Sequence, residues 1–199
     1  MLNDRDYTLI LDKSGSMATK DQPGGRSRWH AARESAAALA AKCEVLDPDG
    51  LTLYVFGSRF KRYEHVTSGR VDRVFDENEP SGGTDLAGVL NHAFNAYFER
   101  RAKGSARPET ILVVTDGEPD DGAAVIKSIV AASRKLERDE ELGVSLVQVG
   151  ADPNARRFLK LLDDELLPSG AKFDIVDTVT LDEMEDVGLT EVLLGAIHD

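Results

Sequence analysis

The chain has 199 residues, in which 24 Lys and Arg face 36 Asp and Glu for a formal net charge of −12, a balance that argues against a nucleic-acid-binding surface. At about 150 residues per domain, this length fits one large domain, or one domain with small additions. With 41% apolar residues a core can form, which excludes disorder of the whole chain.

The first residues, Met1-Leu2-Asn3-Asp4-Arg5-Asp6, are charged and lack the apolar stretch and small-residue cleavage site of a secretory leader, so a cytoplasmic location is expected. No segment approaches the roughly 18 consecutive apolar residues of a membrane span, and no membrane insertion is expected. The single cysteine, Cys43, falls on the apolar face of a predicted helix and reads as a buried, inert thiol.

In chain order, Tyr7 to Leu11 is a β-branched and aromatic run that stops at Asp12, as a buried strand would. A polar stretch follows, and then Trp29, Ala32, Ala36, Leu39, Ala40 and Cys43 recur near the 3.6-residue period of a helix. Asp47-Pro48-Asp49-Gly50 supplies turn chemistry, because it lacks the third acidic position that a calcium loop needs before its glycine. Leu51 to Phe56 is the second strand, and the more polar Phe60 to Val66 is a third, paired antiparallel at an edge.

Gly69 to Asp76 is a short helix, and Leu86, Val89, Leu90, Ala93, Phe94, Tyr97 and Phe98 form the stripe of a longer one. Thr110 to Thr115 is nearly all apolar and β-branched, the pattern of a central strand, and it too ends at an aspartate, Asp116. A helix with Val125, Ile126, Ile129, Val130 and Leu136 inward, a strand Val144 to Val149 and a helix using Ala155, Phe158, Leu159 and Leu162 continue the alternation. Lys172 to Val176 is expected as the last strand, with Leu189, Val192, Leu193, Ala196 and Ile197 in a terminal amphipathic helix. Strands alternating with helices imply a doubly wound α/β fold, with a mostly parallel sheet, helices on both faces and one antiparallel edge strand.

Such sheets bind ligands beyond the carboxyl ends of the strands, where the strand order reverses. After the first strand stands Asp12-Lys13-Ser14-Gly15-Ser16, three oxygen-bearing residues spaced by two, and an extended segment puts these on one side. Ser81-Gly82-Gly83-Thr84 delivers another hydroxyl before the long helix, and Asp116 opens the loop after the central strand. A strand order of 3-2-1-4-5 brings Asp12 and Asp116 together, and two such carboxylates repel unless a cation sits between them. A hard dication fits: two carboxylates neutralise it, while Ser14, Ser16 and Thr84 complete an all-oxygen set. Mg²⁺ is the expected ion, Mn²⁺ and Ca²⁺ being possible, and a position left for an outside ligand can take a partner's carboxylate.

This set resembles the von Willebrand factor type A domain, with Asp12, Ser14 and Ser16 as its D-x-S-x-S, Thr84 as its threonine and Asp116 as its later aspartate. The resemblance covers essentially the whole chain, so residues 1–199 are read as one such domain. It implies a metal-ion-dependent adhesion site, usually holding Mg²⁺, that binds proteins through an acidic residue of the ligand. The lengthened loop from Met17 to Trp29 is expected beside the metal, helping to choose the partner. Without the disulfides and leader of extracellular members, the analogy is to intracellular bacterial ones, some of which work with AAA-type ATPases, chelatases or tellurium-resistance systems.

Other readings compete locally. Asp12, Ser14 and Ser16 taken alone are equally a capped turn. Thr84 could be a helix cap, a role better suited to Asp85, and Asp120 or Asp121 is expected to cap the helix after Asp116. His30, His65, His92 and His198 lack H-E-x-x-H spacing and read as solvent or packing histidines. A Mg²⁺-dependent phosphoryl-transfer or hydrolytic enzyme, with Asp12 as nucleophile, is the alternative function. Position 14 is Ser where a phosphatase of that kind wants a second acid, and G-x-x-x-x-G-K-[ST], G-x-G-x-x-G and G-x-S-x-G are all missing, so no enzyme is expected.

Overall fold

Alternation within each strand decides which way the sheet buries its two faces. Along β1 (Asp6–Asp12), Leu9 and Leu11 point into one apolar layer and Ile10 into the other. β2 (Leu51–Phe56) and β4 (Glu109–Thr115) divide in the same way, Leu53, Val55, Leu112 and Val114 facing one layer and Tyr54, Phe56, Ile111 and Val113 the other. A sheet apolar on both sides needs two helical layers to cover it. The computed structural model, which describes residues 4–187 and Val192, supplies both.

The elements run β1, α1 (Arg28–Leu46), β2, β3 (Phe60–Val66), α2 (Ser68–Asp76), α3 (Leu86–Ala102), β4, α4 (Gly122–Ser133), β5 (Leu142–Gln148), α5 (Pro153–Asp164), β6 (Val176–Thr180) and α6 (Leu181–Val187). Residues of α1, α2 and α6 cover one face, and residues of α3, α4 and α5 cover the other. The strand order is β3-β2-β1-β4-β5-β6, with every pair parallel except β2 with β3. The doubly wound class, the antiparallel edge and the expected neighbours of β1 are therefore all present. The exposed Lys61, Arg62 and Glu64 blunt the β3 edge against further strand pairing.

Helix starts follow their side-chain caps. Ser27 accepts from the His30 amide, Asp85 from Gly88, Asp121 from Ala124, and Asp152 from Asn154 and Ala155 ahead of Pro153. Asp121, not Asp120, thus caps α4. Cys43 is buried in the α1 layer, and desolvation pushes its thiol up to about 12, consistent with an inert role.

The last strand lies later than expected. Residues 172–173 are held away from the sheet by Ser133, whose hydroxyl accepts from the Lys172 and Phe173 amides and donates to the Phe173 carbonyl. Pairing with β5 begins only at Val176, where Val144 is its partner. Leu136 is buried as expected but follows the end of α4. Of the expected terminal helix, Val192 is helical and buried, while Leu189, Leu193, Ala196, Ile197 and His198 lie outside the described residues.

Because Leu112 is sealed in the central strand between β1 and β5, Leu112→Ala is expected to cost about 2–5 kcal/mol in urea unfolding. Val45→Ala, at a side chain 78% exposed, should stay within about 0.5 kcal/mol of the parent. Equal losses would contradict this division of the core.

Candidate metal centre

Register sets the site. Leu11 lies opposite Val114, so the next residues, Asp12 and Thr115, come together where the chain leaves β1 for β2 on one side and later returns to β4 on the other. This is the switch point of the sheet. Asp12 and Asp116 are both fully buried there.

Both oxygens of Asp12 accept hydrogen bonds, Oδ1 from the Ser14 amide at 2.7 Å and Oδ2 from Thr115 Oγ1 at 2.6 Å. Ser14 Oγ lies 3.0 Å from Ser16 Oγ, which donates to Asp116 Oδ1 at 2.9 Å. Asp12, Ser14, Ser16 and Asp116 are thus joined into one oxygen cluster. Burial pushes Asp12 up to about 6, Thr115 and Ser14 opposing that rise with their hydrogen bonds and the charge of Asp116 adding to it. Ionising Asp12 at neutral pH therefore carries a cost that a bound cation would remove.

Thr84 is tied through its backbone to the loop that follows Asp116, and among the described residues no hydrogen bond joins its hydroxyl to Asp12, Ser14, Ser16 or Asp116. Its amide donates to Asp120 Oδ2 at 2.9 Å and its carbonyl accepts from the Asp120 amide at 3.0 Å, a two-way clasp between the loop before α3 and the loop after β4. Gly83 leaves room for this approach, since a Cβ there would meet Asp120 Oδ2 at 2.5 Å and the carboxylate would have to shift. The same loop reaches the D-x-S-x-S turn, where the Gly15 amide donates to the Gly82 carbonyl at 3.1 Å and the Ser81 amide to Lys13 at 2.6 Å. Asp85 caps α3 through the Gly88 amide, so the alternative of Thr84 as the cap does not hold.

The lengthened loop folds against this cluster. A 3₁₀ turn over Gly15–Ala18 leads into a second over Pro23–Gly25, and Gln22 bridges to Arg26. Out of it come the two residues that sequence reasoning missed: Arg28, which donates from Nη1 to Asp116 Oδ2 at 2.9 Å, and Asp21, which holds the same guanidinium. The acceptor oxygens suit a hard cation, with two buried carboxylates and neutral hydroxyls and neither a histidine nor a cysteine among them. Of the other flagged residues, His92 packs beside Phe60 and meets the Tyr54 hydroxyl, while His30 and His65 are exposed.

A doubly wound sheet carrying a carboxylate and hydroxyl cluster at its switch point defines the class. The chain belongs to the von Willebrand factor type A domain family, which matches residues 7–118, and domains of this family generally mediate protein–protein interactions, often in a metal-dependent way. A comparison with curated proteins gives no match. Among solved structures, the chain is similar to a D319A mutant of the PilB minor pilin from Streptococcus sanguinis, with TM-score 0.65 and 12% identity over 96% of this chain and 61% of that one. It is also similar to the manganese-loaded TRAP protein of Plasmodium vivax, with TM-score 0.64 and 15% identity over 98% of this chain and 75% of that one. The pilus adhesin SpaC from Lactobacillus rhamnosus GG gives TM-score 0.65 and 13% identity over 98% of this chain and 30% of that one. At these identities the likeness is one of fold, and the chain spans less than two thirds of the minor pilin it matches.

These neighbours overturn the expected cytoplasmic location, since a minor pilin and a pilus adhesin belong to surface appendages. That expectation leaned on charged first residues and a lone thiol, and neither bears on a fold held by sheet and helices. Among the described residues, no helix is long and apolar enough to cross a membrane.

The raised Asp12 has a consequence for stability in EDTA. The folded chain keeps that proton up to about pH 6, whereas an unfolded aspartate releases it near 3.9. The native state therefore binds more protons in this window, and stability falls as pH rises through it. Asp12→Asn is expected to flatten this slope and to raise stability at pH 7 by on the order of 2 kcal/mol. A thermal-unfolding profile from pH 4 to 7 that is flat for the parent at this site, or a destabilised Asp12→Asn, would contradict it.

Proposed function

We propose that this domain captures a protein partner through a divalent cation held by Asp12, Ser14, Ser16, Thr84 and Asp116, with an Asp or Glu of the partner completing the coordination. The observation that carries this reading is the pair of fully buried carboxylates at adjacent strand ends, with the Ser14 amide on Asp12 and the Ser14 and Ser16 hydroxyls leading on to Asp116. Mg²⁺ is the ion of first choice for such oxygens, and Mn²⁺ and Ca²⁺ suit the same set. The ion would supply positive charge to the two carboxylates and a point of attachment for a third.

Asp12 and Asp116 would neutralise the ion, the three hydroxyls would fill neutral positions, and the clasp between Asp120 and Thr84 would hold the threonine loop in place. Family membership supports protein binding, and the manganese in the TRAP protein supports a divalent ion in a domain of this fold. We read the domain as non-enzymatic. Both Asp12 oxygens already accept hydrogen bonds, which ill suits a nucleophile, and the cluster contains no histidine or lysine to move a proton.

Calorimetric titration of EDTA-treated protein with Mg²⁺ or Mn²⁺ is expected to show about one ion per chain, with binding lost in Asp12→Ala and weakened about tenfold or more in Thr84→Ala. At an ion concentration of 100 times Kd, the fold should gain about 2.7 kcal/mol. Saturable binding that survives Asp12→Ala would refute the assignment. Phosphate-ester turnover lost in Asp12→Asn but retained in Thr84→Ala would put catalysis at the site instead.

A further inference from the structure

Arg28 breaks a local rule. It is the first residue of α1, where the partial positive charge of the helix N-terminus disfavours a cation, and no acidic residue stands in that first turn. Such a violation asks for a compensating gain nearby. The side chain is only 13% exposed and occupies a formed seat. Its Nη1 donates to Asp116 Oδ2 at 2.9 Å, its Nε faces Asp21 Oδ1 and Oδ2 at 3.1 and 3.0 Å, and its Nη2 donates to Asp21 Oδ2 at 2.6 Å. Gly150 makes the room, since a Cβ there would come within 2.8 Å of Arg28 Nε.

The base of the arm is fixed and its grip is unequal. The Arg28 amide donates to the Thr19 carbonyl at 3.0 Å, and the neighbouring Trp29 ring packs on Phe75 with centroids 4.3 Å apart. Asp21 holds the guanidinium through three contacts, whereas Asp116 holds it through one. The guanidinium can therefore leave Asp116 without losing its counter-ion, and so escapes the usual cost of unpairing a poorly exposed charge. Asp116, for its part, spends one oxygen on Ser16 and the other on Arg28.

We propose that Arg28 is a tethered counter-cation of the metal centre: it competes with the divalent ion for the charge of Asp116, and Asp21 retains it when it gives that carboxylate up. The inference rests on the metal-binding reading above and deepens it by naming what tunes the affinity. A fixed positive charge in contact with one of only two carboxylates repels an incoming dication and supplies part of the neutralisation that the ion would otherwise supply. The site thereby holds its ion less tightly than its oxygens alone would. The lengthened loop is the segment that brings both partners of this device, Asp21 and Arg28, to the site.

The test is the Mg²⁺ and Mn²⁺ affinity of the full chain by calorimetry, with thermal unfolding in EDTA as a second readout. Arg28→Gln keeps a hydrogen-bond donor but removes the charge. It is expected to bind the ion about tenfold more tightly or better, while melting lower in EDTA because Asp116 has lost its counter-charge. Arg28→Lys, which keeps the charge but not the planar fork that spans Asp21 and Asp116, is expected to bind the ion less tightly than Arg28→Gln. Asp21→Asn commits Arg28 to Asp116 and should weaken binding in the parent but change it little in the Arg28→Gln background, since the two residues act as one unit.

An Arg28→Gln affinity equal to or weaker than that of the parent overturns the proposal and leaves the metal site standing, with Arg28 a structural ion pair only. Equal weakening by Asp21→Asn in both backgrounds overturns the tether. Failure of both parent and Arg28→Gln to bind either ion removes the metal reading itself, and the proposal with it.

Discussion

Two carboxylates that cannot comfortably be charged together sit at the centre of this molecule. Asp12 and Asp116 end neighbouring parallel strands, both fully buried, and burial raises the cost of ionising Asp12, the charge of Asp116 adding to it. Four groups share the load here: the Thr115 hydroxyl and Ser14 amide on Asp12, the Ser16 hydroxyl on Asp116, and the Arg28 guanidinium on its remaining oxygen. The loops around the site are shaped by the need to deliver those groups.

That requirement explains why segments far apart in the chain are fastened so closely. Gly15 bonds to Gly82, Ser81 to Lys13, Asp85 to Gly57, and Thr84 to Asp120 in both directions. Each bond ties one of the loops beyond the strand ends to another, so that the serines, the threonine and the aspartates are carried on a common frame. The helical layers contribute indirectly, since the caps at Ser27, Asp85 and Asp121 set where the helices leave those loops. Binding sites built in this way inherit rigidity from the sheet while carrying their oxygens on loops.

Much of this was legible from residue order. The β-branched runs ending at Asp12 and Asp116 marked the central strands, because a parallel strand buried on both faces has little choice of residue. Polar spacing by two marked the serine turn, and Asp85 was recognisable as a cap. What stayed hidden depends on contacts between distant residues. Lys172 and Phe173 carry a strand-like pattern, yet Ser133, some 40 positions earlier, takes their backbone out of the sheet. The choice between Asp120 and Asp121 needed the geometry of the α4 start. Arg28 was not legible from the sequence, because its partner Asp116 lies 88 positions away. Cellular location was not legible at all, because a similar fold occurs in proteins of surface appendages.

The central claim is that the oxygens at the switch point hold a single divalent ion. Crystals grown with Mn²⁺ and measured at a wavelength where manganese scatters anomalously would test it without reference to any partner. The account predicts one anomalous peak, within about 2–2.5 Å of at least three oxygens drawn from Asp12, Ser14, Ser16, Thr84 and Asp116, directly or through one water. A map with no peak there, or with manganese bound only to surface carboxylates elsewhere, would contradict it.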